Sequence, residues 1–302
     1  MASRDHITVC ICTYKRPKLL DNALAKLQDQ DTNELFTYSV VVVDNDHEQS
    51  GKQVAESFKD QRKIVVEYYV EPIQNIALAR NKAVENAGGN FIAFIDDDEF
   101  PVEDWLLELY RTLKQHKADG VLGPVKPHFE IEPPDWVIRG KLCERGTFST
   151  GTRIKNHKDT RTGNVLLSRT LFDRDALAFD PRFGQTGGED SDFFRRCIEK
   201  DRIFIWCNEA QVYEAVPARR LRREYFIKRA LLRGVANSEG VSLLSASFFK
   251  SMIASIFYSI ILPVLLVTCQ SKFMGYLIKD CDHLGKITSV LGLKLVSKRS
   301  FE

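Results

Sequence analysis

The sequence is short of several features that would settle a function at once. Its seven cysteines are scattered, with no CxxC pair among them. An odd set without metal spacing excludes a zinc ribbon and points to reduced thiols and a cytosolic setting. The histidines at 6, 47, 116, 128, 157 and 283 show no ligand spacing either. No Gly-x-Gly-x-x-Gly follows the first strand-like run, which argues against a dinucleotide site. No Gly-Lys-Ser/Thr is present to close a P-loop. The net charge is only +2, so nothing in the bulk balance asks for nucleic acid as a partner. Met1–His6 is polar and Ile7 opens an apolar run, so no secretory leader is expected. There is no internal repeat and no low-complexity tract. What remains is a chain of 302 residues, 44% hydrophobic. That is enough for one large domain, or for one domain with an appendage.

Periodicity organises the first 125 residues. Ile7–Cys12, Ser39–Val43, Ile64–Tyr69, Phe91–Ile95 and Val121–Val125 are short apolar runs that read as strands. Between them, Lys18–Gln30, Gln53–Phe58, Ile76–Ala87 and Glu103–His116 read as helices, the third with Asn75 as N-cap and Gly88-Gly89 as its stop. Continuous apolar strands alternating with helices predict an α/β fold with a mostly parallel, Rossmann-like sheet flanked by helices. Residues 126–185 are less regular. Pro127, Pro133, Pro134 and Trp136 mark an irregular crossing segment, 146–162 is a polar, basic candidate for a mobile loop, and Asn164–Ser168 reads as a further strand.

Ligands of such sheets bind beyond the carboxyl ends of the strands, so the strand ends carry the functional reading. The first ends in Thr13-Tyr14-Lys15-Arg16-Pro17, the second in Asp44-Asn45-Asp46, the fourth in Asp96-Asp97-Asp98-Glu99. Four adjacent carboxylates cannot all stay ionised unless a cation or water separates them. They are either a solvated acidic turn or hard oxygen ligands for Mg²⁺ or Mn²⁺ with a diphosphate. Asp44 suits a nucleotide contact and equally a turn cap. Arg80 is a functional cation or a helix-surface charge, and Lys15 and Arg16 read as a solvated loop, with phosphate contact as the alternative. Gly187-Gly188-Glu189-Asp190 precedes a helix running to about Lys200. Glycines there let backbone approach a ligand, while acids at a helix start are also favoured by the helix dipole. Trp136 either stacks on a sugar ring or anchors its loop.

Taken in order, Cys12-Thr13-Tyr14-Lys15-Arg16-Pro17, Val42-Val43-Asp44-Asn45-Asp46, Ala79-Arg80-Asn81, Asp96-Asp97-Asp98-Glu99 and Gly188-Glu189-Asp190-Ser191-Asp192-Phe193 resemble glycosyltransferase family 2 over roughly residues 6–215. Pro133-Pro134-Asp135-Trp136, Thr162-Gly163-Asn164 and Glu214-Ala215-Val216-Pro217 are similar to its succinoglycan-type glucosyltransferases of bacterial exopolysaccharide synthesis. The resemblance implies a GT-A fold and an inverting, metal-dependent hexosyltransferase. It implies that Thr13 and Tyr14 cradle the nucleobase of a UDP-sugar and that Asp44 accepts from a uracil ring nitrogen. Arg80 then lies near base and phosphates, Asp96 and Asp97 lie with the nucleotide-sugar, Asp98 reaches Mg²⁺ or Mn²⁺, and Asp190 is the catalytic base, with Glu189 in reserve. Where many members carry a further histidine ligand, this chain has Glu214 after Tyr213. Glu214 takes that place, or the cation has fewer protein ligands. The competing expectations are a nucleotidyltransferase, disfavoured by the absence of glycine after the first strand, and an inactive nucleotide-sugar-binding scaffold.

The C-terminal region sets a different problem. The division expected is a catalytic domain over 1–218 and a basic, apolar helical region over 219–302. No charged residue occurs from Ser251 to Ser271, a length that suits a membrane-spanning helix. Arg219, Arg220, Arg222, Arg223, Lys228, Arg229 and Arg233 precede it, and Lys272, Lys279, Lys286, Lys294, Lys298 and Arg299 follow. Positive charge on both sides favours a segment lying in or dipping into a membrane over a simple span. The alternatives are a buried hairpin and a dimer interface. The expected setting is the cytoplasmic face of a bacterial inner membrane, with a lipid-linked (polyprenol-type) or surface glycan as acceptor and no nucleic acid partner.

Overall fold

The structure is a computed structural model and describes residues 4–59, 64–173, 177–184, 187–238, 240–293 and 296. Lys294, Lys298 and Arg299 of the basic C-terminal set lie outside the described residues. The chain divides into two compact units: residues 1–126 with 145–214, and residues 127–144 with 215–302. The second unit thus takes in the proline-rich crossing segment as well as the C-terminal helices.

In the first unit, β1 (Asp5–Thr13), β2 (Phe36–Asp44), β3 (Val65–Val70) and β4 (Phe91–Ile95) alternate with α1 (Pro17–Leu27), α2 (Lys52–Lys59) and α3 (Ile76–Asn86). Then follow β5 (Glu99–Pro101), α4 (Trp105–His116), β6 (Gly120–Leu122) and β7 (Val125–Phe129). The run read as one strand over Val121–Val125 is two, interrupted at Gly123-Pro124 because proline has no N–H for a ladder. Helix α5 (Asp135–Arg139) lies in the second unit; β8 (Arg153–Ile154), β9 (Asn164–Ser168), α6 (Thr170–Asp173), α7 (Glu189–Glu199) and β10 (Phe204–Trp206) belong to the first, and β11 (Val212–Val216) runs from the first into the second. Among the described residues eight strands form one sheet in the order β3-β2-β1-β4-β9-β6-β10-β8. Its β1–β2, β2–β3, β1–β4 and β6–β10 pairs are parallel. Strand β9 runs antiparallel between β4 and β6, and β8, within the segment expected to be a loop, pairs antiparallel with β10. This is an α/β, GT-A-like fold.

Local chemistry explains the elements that position the site. Helix α1 has Pro17 in its first turn, where a missing N–H costs nothing. It buries Leu20, Ala23, Leu24 and Leu27, spaced as one helix face. Each large side chain so buried contributes about 1.5–3 kcal/mol. Asn75 caps α3, its Oδ1 accepting the N–H groups of Ala77 (3.0 Å) and Leu78 (3.2 Å). The buried Trp105 of α4 donates from Nε1 to Asn164 Oδ1 at 2.8 Å, and Asn164 Nδ2 donates to the Pro124 and Ala210 carbonyls at 3.0 and 2.8 Å. That satisfied buried network fixes the start of β9 beside the end of β4.

In the second unit, α8 (Arg223–Ala236), α9 (Ala246–Thr268) and α10 (Gln270–Val290) follow one another, and only Cys269 separates the last two. Val137, Val216, Leu221, Phe226 and Met274 form its buried core.

Candidate active site

Strand β4 is buried throughout, and the four acids that follow it turn rather than extend. Glu99 N–H donates to the Asp96 carbonyl (3.1 Å) and Asp96 N–H donates to Glu99 Oε2 (3.1 Å), closing the turn from both sides. Glu99 is enclosed, and burial pushes its carboxyl well above the usual range. A Cβ on Gly163 would lie 2.6 Å from Glu99 Oε1, so only glycine lets β9 approach this close. Thr13 Oγ1 donates to Asp97 Oδ2 at 2.8 Å, and Arg16 Nη1 lies 3.1 Å from Asp97 Oδ1 and 3.6 Å from Asp98 Oδ2. The end of β1 therefore grips the acid cluster. Arg16, expected to be a solvated loop charge, is a partner of the acids. Burial pushes Asp96 and Asp97 up to about 6; Arg80 opposes the shift at Asp96 and Arg16 opposes it at Asp97, while the neighbouring carboxylates add to it. Asp96 keeps 48% of its side-chain surface in the open, so it is encircled without being sealed.

Arg80 joins this cluster to the second acidic motif. It is buried on α3, with its guanidinium 5.7 Å from the Phe179 ring centre. It donates from Nη1 to Glu189 Oε1, and its Nη2 is 3.7 Å from Asp96 Oδ1. It is not a surface charge. Gly188 precedes α7 at φ 101°, a left-handed geometry that favours glycine, and so delivers Glu189 inward. Glu189 Oε2 is buried without a hydrogen-bond partner. Asp190 is half-buried, its Oδ1 accepting Ser191 N–H at 2.7 Å. Asp192 is committed within the helix, to Arg195 at 2.7 Å and Arg196 at 2.8 Å.

Glu214, singled out in the sequence, stands on β11 opposite Glu99 on β5; the cations of this flank were not foreseen. Glu214 is ion-paired to Arg145. Arg161 lies within electrostatic reach of Glu99, Asp190 and Glu214, and burial, aided by Arg145, holds its guanidinium below the ordinary value. Arg145 and Arg161 bound the polar, basic stretch 146–162. Their charge was visible in sequence, but their partners are far away in the chain.

Asp44 is fully buried. Its Oδ2 accepts Gly51 N–H (2.7 Å) and Tyr68 O–H (2.9 Å), and its Oδ1 accepts Asp46 N–H (3.1 Å). In this geometry it orders the loop after β2 and has no surface to offer a ligand; burial raises its carboxyl despite those donors. Tyr14 is half-buried, with Lys15 Nζ 5.7 Å from its ring centre. Trp136 belongs to the second unit, packed edge-on to Phe226 (5.7 Å) and beneath Arg223 (5.7 Å). There it anchors its own segment.

Among the described residues no three His, Cys, Asp or Glu side chains converge as a ready metal cage. A hard divalent ion does not need one when a diphosphate supplies further oxygens, since one or two carboxylates then suffice. Asp98, on the turn that Glu99 closes and next to Asp97, is a carboxylate of the kind that mode needs. Glu214 lies beside the same cluster, opposite Glu99 and within electrostatic reach of Asp96, with Arg145 as its ion-pair partner.

The sequence model of Glycosyl transferase family 2 matches residues 8–178. The chain is 30% identical over 301 residues to the succinoglycan biosynthesis protein ExoM of Rhizobium meliloti (strain 1021), covering 97% of this chain and 95% of that protein. Its fold is similar to a mannosyltransferase, PcManGT from Pyrobaculum calidifontis, solved in complex with GDP-Man and Mn²⁺: TM-score 0.64, 18% identity, 97% of this chain and 89% of that one. It is also similar to S. aureus TarS 1–349 in complex with UDP-GlcNAc, with TM-score 0.56, 15% identity, 96% of this chain and 93% of that one. It spans 43% of a longer TarS chain.

Proposed function

The chain belongs to glycosyl transferase family 2, a family of sugar-transferring enzymes, and on that premise we propose that it moves a hexose from a UDP-sugar to a lipid-linked or surface glycan with inversion at the anomeric carbon. Membership removes the nucleotidyltransferase alternative. The observation that carries the reading is Arg80, which ties Asp96 of the acid cluster to Glu189 of the Gly-Glu-Asp motif. Two motifs some hundred residues apart thereby share one site, as a transfer between a phosphorylated donor and a hydroxyl acceptor requires.

In this reading Asp190 takes the proton of the acceptor hydroxyl. The acceptor oxygen then bonds to the anomeric carbon as the bond from that carbon to the diphosphate breaks, and UDP leaves with the electron pair. Attack on the face opposite the leaving group inverts the centre in one displacement, with no covalent sugar-enzyme link. A positioned base contributes about 10²–10⁴-fold. A bound Mg²⁺ or Mn²⁺, held by Asp98, supplies Lewis-acid stabilisation of the leaving diphosphate. Thr13, Tyr14 and the loop ordered by Asp44 form the nucleobase end, with Asp96 and Asp97 next to the nucleotide-sugar. Arg80 positions Asp96 and Glu189. The turn closed by Glu99 keeps Asp98 at a fixed place.

The second unit supports the acceptor class in this reading. Helix α9 is long and apolar enough, by length and composition, to cross a membrane. That supports work at a membrane surface, which we assign to the cytoplasmic face of a bacterial inner membrane. The testing experiment is release of nucleoside diphosphate from a panel of UDP- and GDP-sugars, with Mn²⁺, with Mg²⁺ and with EDTA. Metal-dependent release from one or a few UDP-sugars is expected. Equal release with EDTA, or release from GDP-sugars only, contradicts the proposal.

A further inference from the structure

Helix α9 wears its polarity reversed. Ile253, Ile260, Val264 and Val267 expose 70, 72, 60 and 87% of their surface, whereas Ser251 and Ser255 are buried. Ser247, Ser251 and Ser255 recur every fourth residue and so share one face. That face meets α10: Ser255 Oγ donates to Asp280 Oδ1 at 2.6 Å, and Lys286 Nζ donates to Ser247 Oγ at 2.5 Å. The polar side is turned to protein and the apolar side away from it. An exposed apolar surface of this extent is stable only against another apolar medium.

Two observations say which medium, and how deeply the helix enters it. Residues 219–302 hold 14 Lys and Arg against 5 Asp and Glu, whereas residues 1–218 hold 29 against 36. Lys250 on α9, Lys272 and Lys279 on α10, and Arg222, Lys228 and Arg229 before and on α8 are all exposed. A basic, apolar surface complements anionic lipid. The partner of α9 then fixes its depth. Ser255 lies near the middle of α9, and the antiparallel α10 brings Lys279, Asp280 and Asp282 to that level. Crossing the bilayer would drag those charges to its midplane, where they are least tolerated.

We infer that α9 is a monotopic anchor: it lies along the headgroup–acyl boundary of an anionic bilayer, serines toward α10 and isoleucines and valines toward lipid, without crossing. This rests on the membrane-surface reading above and adds its topology. It places both ends of α9 on the same side as the first unit. Cys269, in the link between α9 and α10 and half-exposed, is a built-in reporter.

The test uses the full chain expressed in bacteria, with membranes prepared as inside-out and right-side-out vesicles. A membrane-impermeant maleimide labels Cys269, which is read by peptide mass spectrometry, and trypsin added outside reports which vesicles display the first unit. Monotopic binding predicts labelling of Cys269 only where trypsin reaches the first unit. Labelling in the opposite vesicles overturns the inference in favour of a span and leaves the membrane reading intact. Recovery of the chain in the soluble fraction as a dimer overturns both, because the apolar face then meets a second copy. With purified protein, Ile253→Asp together with Ile260→Asp is expected to lower flotation with phosphatidylglycerol vesicles at least tenfold while UDP binding is kept. Undiminished flotation by that variant removes α9 as the anchor. Flotation with phosphatidylcholine vesicles as complete as with phosphatidylglycerol removes the anionic component.

Discussion

In the first unit, buried and half-buried ionisable groups are gathered and partnered across long stretches of chain: Arg80 with Glu189 and Asp96, Arg16 with Asp97 and Asp98, Arg145 with Glu214. In the second, the basic side chains are mostly exposed, and the one buried carboxylate named above, Asp280, bonds a serine. The first unit is acidic around the proposed transfer site, and cations temper that acidity. The second is basic around the proposed membrane surface. Burying charge is expensive, and the contrast teaches where that expense coincides with function: the groups held against their solvation preference are those around the proposed diphosphate.

The sharpest way to break this contrast is Asp190→Asn. In that variant kcat is expected to fall by about 10²–10⁴, with UDP affinity and unfolding temperature unchanged; loss of UDP binding would recast Asp190 as structural. Next in size is Arg80→Met. It leaves Glu189 buried without its counter-charge, and urea unfolding should show a loss of about 3–5 kcal/mol. Combining it with Glu189→Gln should recover part of that loss, because the two partners are coupled. Full additivity would mean the ion pair does not link the motifs.

A smaller effect concerns pH. Asp96 and Asp97 sit at about 6 in the folded chain against 3.8 unfolded, and Glu99 and Asp44 are shifted the same way. Between those values the folded chain binds more protons than the unfolded one, so stability falls as pH rises through that window. Calorimetry in EDTA should therefore show these acids favouring the fold more at pH 5 than at pH 7.5. Mn²⁺ should raise the unfolding temperature more at pH 7.5 than at pH 5. A metal effect independent of pH would separate these acids from the cation. The smallest effect is expected in the second unit. Asp280→Asn keeps an acceptor for Ser255 and should change stability by about 1 kcal/mol or less. A loss as large as that of Arg80→Met would show that the two units treat buried charge alike.

Much of the frame was legible because it is written locally. The run Ile7–Cys12 lies inside β1, and the helix expected over Ile76–Ala87 is α3 with its Asn75 cap in place. Direction was not legible. Strand β9 has the same buried, apolar character as a parallel strand, yet it runs antiparallel. Nor were the cations. Arg16 finds Asp97 across 81 positions and Arg80 finds Glu189 across 109, and nothing in the local pattern separates such an arginine from a solvated one. The acids could be read in advance because four in a row conflict with one another wherever they lie. Trp136 was ambiguous because an aromatic ring suits a sugar and a core equally; Phe226 and Arg223 claim it. The serines of α9 have no direction in the sequence; Asp280 and Lys286 give them one.

The measurement nearest the centre of the account is calorimetric titration of UDP into the full chain with and without Mn²⁺, on the natural sequence and on Asp98→Ala and Asp190→Asn. Mn²⁺-dependent binding is expected for the natural chain and for Asp190→Asn, with its loss or severe weakening in Asp98→Ala. Unaltered Mn²⁺-dependent binding by Asp98→Ala would contradict it, as would equal loss in both variants.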